Sequence, residues 1–266
     1  MLGSPGRLSD SNARLAAARR LTRRQARLAA GLFLAEGAPA VREALRRPEL
    51  VVEVFATADA LARHGEMLAG VPVDEISPRA AAGLSETVTP QGLVAVCRCL
   101  DIGLTAVLAK RPRLVAALIE TNDPGNAGAI LRTADAAGAD AVVVTGGVDV
   151  YNGKAVRATA GSLFHLDVVI DVDPLQLLRD ARSSGLTSLA TTGVGQHDLD
   201  AVAAAGSLAA PTLWLFGNEA HGLPAELIAA ADGSVRVPIY GRAESLNLAA
   251  AAAVCLYASA RAAREG

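Results

Sequence analysis

The chain has 266 residues, 52% of them hydrophobic, 20% charged and only 3% aromatic, so it can bury an aliphatic, alanine-rich core as one large domain or two small ones. No stretch of 18 uninterrupted apolar residues occurs, so no transmembrane helix is expected; the Arg-rich N-terminus lacks the apolar core of a signal peptide, which makes the cytoplasm the expected compartment. The net charge of −2 is unevenly spread: residues 1–47 hold ten Arg, no Lys, one Asp and two Glu, a net +7 that leaves −9 for the remainder.

Such asymmetry points to a polyanionic partner for the N-terminal part, against the plainer reading of a solvated Arg-rich helix. Residues 1–12 are polar, with Gly, Pro and Ser, and read as a mobile segment. One basic helix is expected over 13–30, carrying Arg23 and Arg24. Beyond Phe33-Leu-Ala-Glu-Gly37, a helix is expected over 38–47, stopped by Pro48. A strand over 51–56, a helix over 58–68, a short strand over 71–76, a helix over 78–84 and a strand over 93–99 follow. This alternation predicts a small α/β domain over 13–100. Residues 101–112 read as a connector. A second α/β series fills 113–266, with strands over 114–119, 141–144, 168–170, 186–191, 213–216 and 235–239. Its helices are expected over 126–137, 154–161, 174–184, 224–231 and 246–264.

Two apolar runs near the C-terminus end abruptly in glycine and polar residues: Leu213-Trp-Leu-Phe-Gly-Asn-Glu-Ala-His-Gly-Leu223 and Val237-Pro-Ile-Tyr-Gly-Arg-Ala-Glu-Ser-Leu-Asn-Leu248. A buried strand running into Gly217-Asn218-Glu219 exposes backbone groups and a carboxylate at its C-terminal end, where open α/β sheets bind ligands. The second run places Ser245 and Asn247 before an Ala-rich helix, which suggests one pocket made of two loops.

Thr121-Asn-Asp-Pro-Gly-Asn126 joins a strand to a helix, with Pro124-Gly125 as the turn and Asn126 at the helix start. Arg132 follows in a small, apolar helical stretch, where a cation needs a partner or a polyanion; an Arg packing its stem on alanines is the plainer reading. Lys154 and Arg157 stand three apart on one helix face, suited to phosphate or to solvent. Thr191-Thr-Gly193-Val-Gly195 follows a strand, but Gly-x-Gly without a third glycine is not a dinucleotide fingerprint. No Gly-Lys-Ser/Thr phosphate loop occurs, so neither nicotinamide nor ATP chemistry is supported. The four histidines (His64, His165, His197, His221) and three cysteines (Cys97, Cys99, Cys255) lack metal-ligand spacing, so no metal and free buried thiols are expected.

Taken in order, Asn126-Ala-Gly-Ala-Ile-Leu-Arg132, Leu215-Phe-Gly-Asn-Glu-Ala-His-Gly-Leu223 and the Val237–Leu248 run resemble the three motifs of the SpoU family of RNA 2′-O-ribose methyltransferases. The resemblance covers roughly residues 112–264, and 154–162 look like the family's stretch between its first two motifs. Residues 13–100 are similar to the small α/β RNA-binding domain that many members carry. The resemblance implies a parallel α/β sheet with a deep trefoil knot, a homodimer with its active site near the dimer interface, and S-adenosylmethionine bound within the knot. It implies that Thr191, Gly193, Phe216, Gly217, Asn218, Val237, Ile239, Leu246 and Leu248 hold that cofactor. Arg132 would activate the ribose 2′-OH, Asn126 would position Arg132 or the ribose, and Glu219 would orient neighbouring groups. Ser245 and Asn247 would lie near the methyl donor and the target ribose. Lys154, Arg157, Arg23 and Arg24 would hold RNA phosphate. The implied substrate is structured RNA, 23S rRNA ahead of tRNA; a non-catalytic RNA-binding protein of the same fold is the other reading.

Overall fold

The computed structural model describes residues 6–265. They divide into two compact units, the first ending at Leu100 but also containing 149–164, the second made of 101–148 and 165 onward. In the first unit, α1 (Ala13–Arg20) and α2 (Arg24–Ala30) precede β1 (Leu32–Glu36), α3 (Ala38–Leu45), β2 (Val51–Ala56) and α4 (Ala58–His64). Then come β3 (Asp74–Glu75), α5 (Pro78–Ala82) and β4 (Leu93–Arg98). The sheet order is β1-β4-β2-β3, with β4 antiparallel to both neighbours and β3 parallel to β2. Leu15, Leu34, Phe55, Ile76, Leu84 and Val94 form its core.

The single helix expected over 13–30 is two, and the reason is Arg27. This arginine is 4% exposed and turns inward. Its Nη1 donates to the carbonyls of Leu21 (2.7 Å) and Thr22 (2.9 Å), satisfying the chain where α1 ends. Its Nε and Nη2 reach Asp149 Oδ2 at 3.0 and 2.5 Å. A guanidinium can do both because it carries five donors. Residues 6–8, expected to be mobile, are tied down: Gly6 N–H donates to Asp74 Oδ1 (3.3 Å) and Leu8 N–H to the Glu75 carbonyl (2.9 Å). Residues 1–5, covered by the same expectation, lie outside the described residues. The strand expected over 71–76 is confined to the two residues of β3.

The chain continues with α6 (Leu104–Ala109), β5 (Leu114–Leu118), α7 (Pro124–Ala137) and β6 (Ala141–Val144); α8 (Gly153–Thr159) falls in the first unit. The second unit resumes with β7 (Asp167–Ile170), α9 (Pro174–Ser183), β8 (Thr187–Thr191), β9 (His197–Asp198) and α10 (Leu199–Ala204). It ends with β10 (Thr212–Phe216), α11 (Ala225–Ala230), β11 (Gly233–Arg236) and α12 (Leu248–Glu265). The seven strands run in the order β7-β6-β5-β10-β8-β11-β9, all pairs parallel, so the expected parallel α/β architecture is present. A parallel sheet is covered on both faces and its strands read as continuous apolar runs; every residue of β5 and β10 is buried. Trp214 on β10 donates from Nε1 to Ser259 Oγ at 2.9 Å, both groups buried, which fastens α12 to the sheet.

The connector expected over 101–112 contains α6, whose Val107 joins the core of the second unit. Residues 192–211, without an expected element, hold α10, capped by Asp198 on the Asp200 N–H at 3.1 Å. Cys97 and Cys255 are buried, and burial pushes each thiol up to about 12, leaving them inert.

Candidate active site

Strand order reverses between β5 and β10, and an open α/β sheet forms its ligand crevice outside the C-terminal strand ends at such a point. The two strands pair in register from Thr212↔Leu114 to Phe216↔Leu118, so their outgoing loops leave side by side. Asn218 Nδ2 donates to the Glu120 carbonyl at 2.8 Å, joining the two loops at their base. Glu219 Oε2 accepts from the Asn122 N–H (3.2 Å), and its Oε1 accepts from the Asp123 N–H (3.3 Å) and Asn126 Nδ2 (3.0 Å). Asn126 Oδ1 accepts from Asn247 Nδ2 at 3.1 Å. Asn247 Oδ1 in turn accepts from the N–H groups of Ala249 (2.9 Å) and Ala250 (3.4 Å) at the start of α12. One hydrogen-bond chain therefore links the loops after β5, β10 and β11, joining Asn126, Glu219 and Asn247 from the three sequence motifs.

Local sequence explains the arrangement. α7 starts at Pro124, not Asn126: Asp123 is its cap, accepting from the Asn126 N–H at 2.8 Å, with Pro124 at the first helical position. The Asn126 side chain is thereby free to bridge Glu219 and Asn247. The cap signal in the sequence is the Asp-Pro pair rather than Asn126, which was expected at the helix start. Burial raises the Glu219 carboxyl, but bonds from Asn126, its own backbone and the N–H groups of Asn122 and Asp123 outweigh it and hold the group below the usual carboxylate range. Gly217 is required by contact: a Cβ there would sit 2.4 Å from the Gly222 carbonyl carbon, where Asn218 and Gly222 pair backbone to backbone.

Other expected residues have different surroundings. The Phe216 ring is fully buried and stacked near Trp214 (centroids 6.4 Å apart), and its carbonyl accepts from the Ile119 N–H at 2.8 Å. Thr191 Oγ1 donates to the Leu215 carbonyl at 2.8 Å. Gly193, Ile239, Ser245 and Leu246 are exposed, and Val237 and Leu248 are half-buried. Among the described residues, no backbone N–H from Ile239 to Leu246 finds a protein partner. Arg132, in the third turn of α7, is exposed, and its side chain makes no hydrogen bond or ion pair among the described residues. Within the first unit, Arg157 Nη1 is paired with Glu36 Oε2 at 2.7 Å, while Lys154, Arg23 and Arg24 are exposed.

Residues 113–257 match the SpoU rRNA Methylase family, and residues 12–95 match the MRM3-like substrate binding domain. The chain is 35% identical to the 23S rRNA (guanosine(2553)-2′-O)-methyltransferase RlmP of Bacillus subtilis (strain 168), over 90% of this chain and 92% of that relative. It is also 35% identical to the tRNA (guanosine(18)-2′-O)-methyltransferase of Thermus thermophilus, over 57% of this chain and 76% of that one. Among solved structures it resembles the AdoMet-bound rRNA methyltransferase from Sinorhizobium meliloti, with a TM-score of 0.83, 29% identity, and coverage of 97% of this chain and 98% of that one. The protein belongs to the SpoU rRNA methylase family.

Proposed function

We propose that this protein transfers the methyl group of S-adenosylmethionine to a ribose 2′-OH in 23S rRNA. The observation that carries the reading is the Glu219–Asn126–Asn247 hydrogen-bond chain, which draws the three motif loops to one edge of the parallel sheet. The long match to RlmP and the substrate-binding match over 12–95 favour rRNA; the tRNA methyltransferase aligns with little more than half the chain.

The groups present fit the cofactor. The loop from Ile239 to Leu246 offers unpaired backbone donors, and Ile239 (38% exposed) and Leu246 (39% exposed) offer apolar surface of the kind an adenine covers. Bound there, S-adenosylmethionine would supply a methyl on a sulfonium, which departs as a neutral thioether and needs no acid. The loops of Thr191, Gly193, Gly217, Asn218, Val237 and Leu248 would hold it, Phe216 serving from beneath as their packed floor. The knot is proposed on family grounds, with β10 inserted between β5 and β8 as its setting.

What remains is to orient the 2′-oxygen and stabilise its developing charge as its proton passes to a phosphate oxygen of the RNA or to water. Arg132 does this as a fixed cation, since a guanidinium does not deprotonate in proteins. Glu219 accepts from three neighbours and so fixes the loops rather than acting as a base. Asn126 and Asn247, oriented by their mutual bond, position the ribose, with Ser245 on the same loop as Asn247. We propose a homodimer, supported by exposed Val194 (88%), Tyr240 (84%), Val254 (44%) and Tyr257 (48%) on the second unit, with Arg132 acting near the interface. Lys154, Arg23 and Arg24 contact phosphate, as does Arg157 through the guanidinium nitrogens that its Nη1–Glu36 pair leaves over.

The test is Arg132→Ala. Methyl transfer to 23S rRNA falls roughly 10²–10³-fold in kcat, as on losing one transition-state donor, while calorimetric binding of S-adenosylmethionine is unchanged. Full activity would remove Arg132 from the mechanism; activity on tRNA alone would replace the substrate.

A further inference from the structure

One cavity of the first unit is built from charged and polar groups, of which only Arg157 already has a role toward the RNA. It measures about 130 Å³ and is lined by Glu36, Thr87, Thr89, Gln91 and Arg157, with small apolar walls from α3 and the end of α8. Glu36 is 6% exposed, and a carboxylate that deeply placed must be held by opposite charge and hydrogen bonds. Ser85 Oγ (2.5 Å) and Thr87 Oγ1 (3.4 Å) donate to its Oε1, and Arg157 Nη1 (2.7 Å) to its Oε2. Three of about four acceptor positions are thus taken, and one on Oε2 remains. Gln91, exposed at the mouth, turns its Oε1 to the Ala38 N–H at 3.1 Å, which leaves its Nε2 donors to solvent or a ligand. Val88, fully exposed between Thr87 and Thr89, puts apolar surface on the same loop.

An acceptor and a pair of donors therefore face a small apolar-walled space. Phosphate is disfavoured by the like charge of Glu36. A planar ring entering by its edge is favoured: a somewhat larger cavity of about 150 Å³ admits a whole benzene, so this one takes the edge of a base, and RNA sequence is read mainly on unpaired bases, through stacking and edge hydrogen bonds. We propose that this cavity receives the edge of one unpaired nucleobase of the RNA substrate, distinct from the nucleotide that is methylated. Glu36 accepts from the base edge and Gln91 donates to it. The proposal rests on the RNA-substrate reading above and adds to it a site that reads base rather than phosphate.

The test uses the full chain saturated with S-adenosylhomocysteine, so that nucleosides cannot enter the cofactor site. Adenosine, guanosine, cytidine and uridine are titrated in turn while the amide shifts of residues 85–92 are followed. At least one nucleoside gives saturable shifts at Thr87, Thr89 and Gln91, and these vanish in Glu36→Gln and in Thr89→Phe, whose ring plugs the mouth from an exposed position. In steady state, Thr89→Phe raises KM for 23S rRNA about tenfold with kcat and cofactor affinity unchanged, the signature of lost uniform binding. No shift with any nucleoside, or an unchanged KM, overturns the proposal. If the wild-type protein methylates no rRNA, the functional reading fails by itself; the nucleoside titration and the RNA dissociation constant of Thr89→Phe then decide the cavity.

Discussion

Glu219 accepts hydrogen bonds from Asn122, Asp123 and Asn126, and the consequence is a carboxyl held below the usual carboxylate range. Its folded pKa is lowered, so its contribution to the loop network is fully present above the ordinary glutamate value and is lost only as pH falls through the depressed folded value. The Asn126 and Asn247 side-chain amide signals should therefore keep their native shifts on acidification past the ordinary glutamate midpoint. Loss of those shifts at or above that midpoint would show the bonds to be too weak for the role. Glu219→Gln turns an acceptor oxygen into a donor facing other donors, and kcat/KM should fall at least about tenfold from the misplaced loops. The motif singles out Glu219 as a candidate. That it faces the loop after β5 was not legible, because the partners lie about a hundred residues away in the chain.

Among elements, the α1–α2 break separates arginines that the composition had pooled. Arg27 is internal, closing α1 and pairing with Asp149, and Arg14, half-buried, binds Glu53 and Asp74 at 2.6 Å each. Arg23 and Arg24 are exposed. Asp149→Ala leaves Arg27 as a buried uncompensated charge and should cost about 3–5 kcal/mol, read as a lower denaturant midpoint at unchanged slope. Arg23→Ala should change stability by less than about 0.5 kcal/mol yet flatten the salt dependence of rRNA binding by about one unit of slope. A stability loss in Arg23→Ala equal to that of Asp149→Ala would erase the distinction. Strands such as Leu114–Leu118 were legible as apolar runs, whereas α6 and α10, six residues each, carry too little periodicity to announce themselves.

For the whole molecule, the boundary between units does not follow the chain. Residues 149–164 lie inside the segment matched to the methylase family, yet they cluster with the N-terminal unit through Tyr151 Oη on the Leu100 N–H (2.9 Å) and the Arg27–Asp149 pair. Deleting residues 1–100 should therefore strip cover from Tyr151, Val156, Leu163 and Phe164, all at most 5% exposed, and yield a product that binds hydrophobic dye and aggregates. A monodisperse truncation with no dye binding would contradict this. The sequence by itself determined the α/β class and the family and singled out candidate site residues, because those are written in local apolar runs, turn residues and ordered motifs. Only the tertiary structure decided which arginines are spent on folding, that Asp123 rather than Asn126 caps α7, and that Glu219, Asn126 and Asn247 share one hydrogen-bond chain. Each depends on which strand lies next to which, and burial and partner choice across such distances leave no periodic trace in the chain.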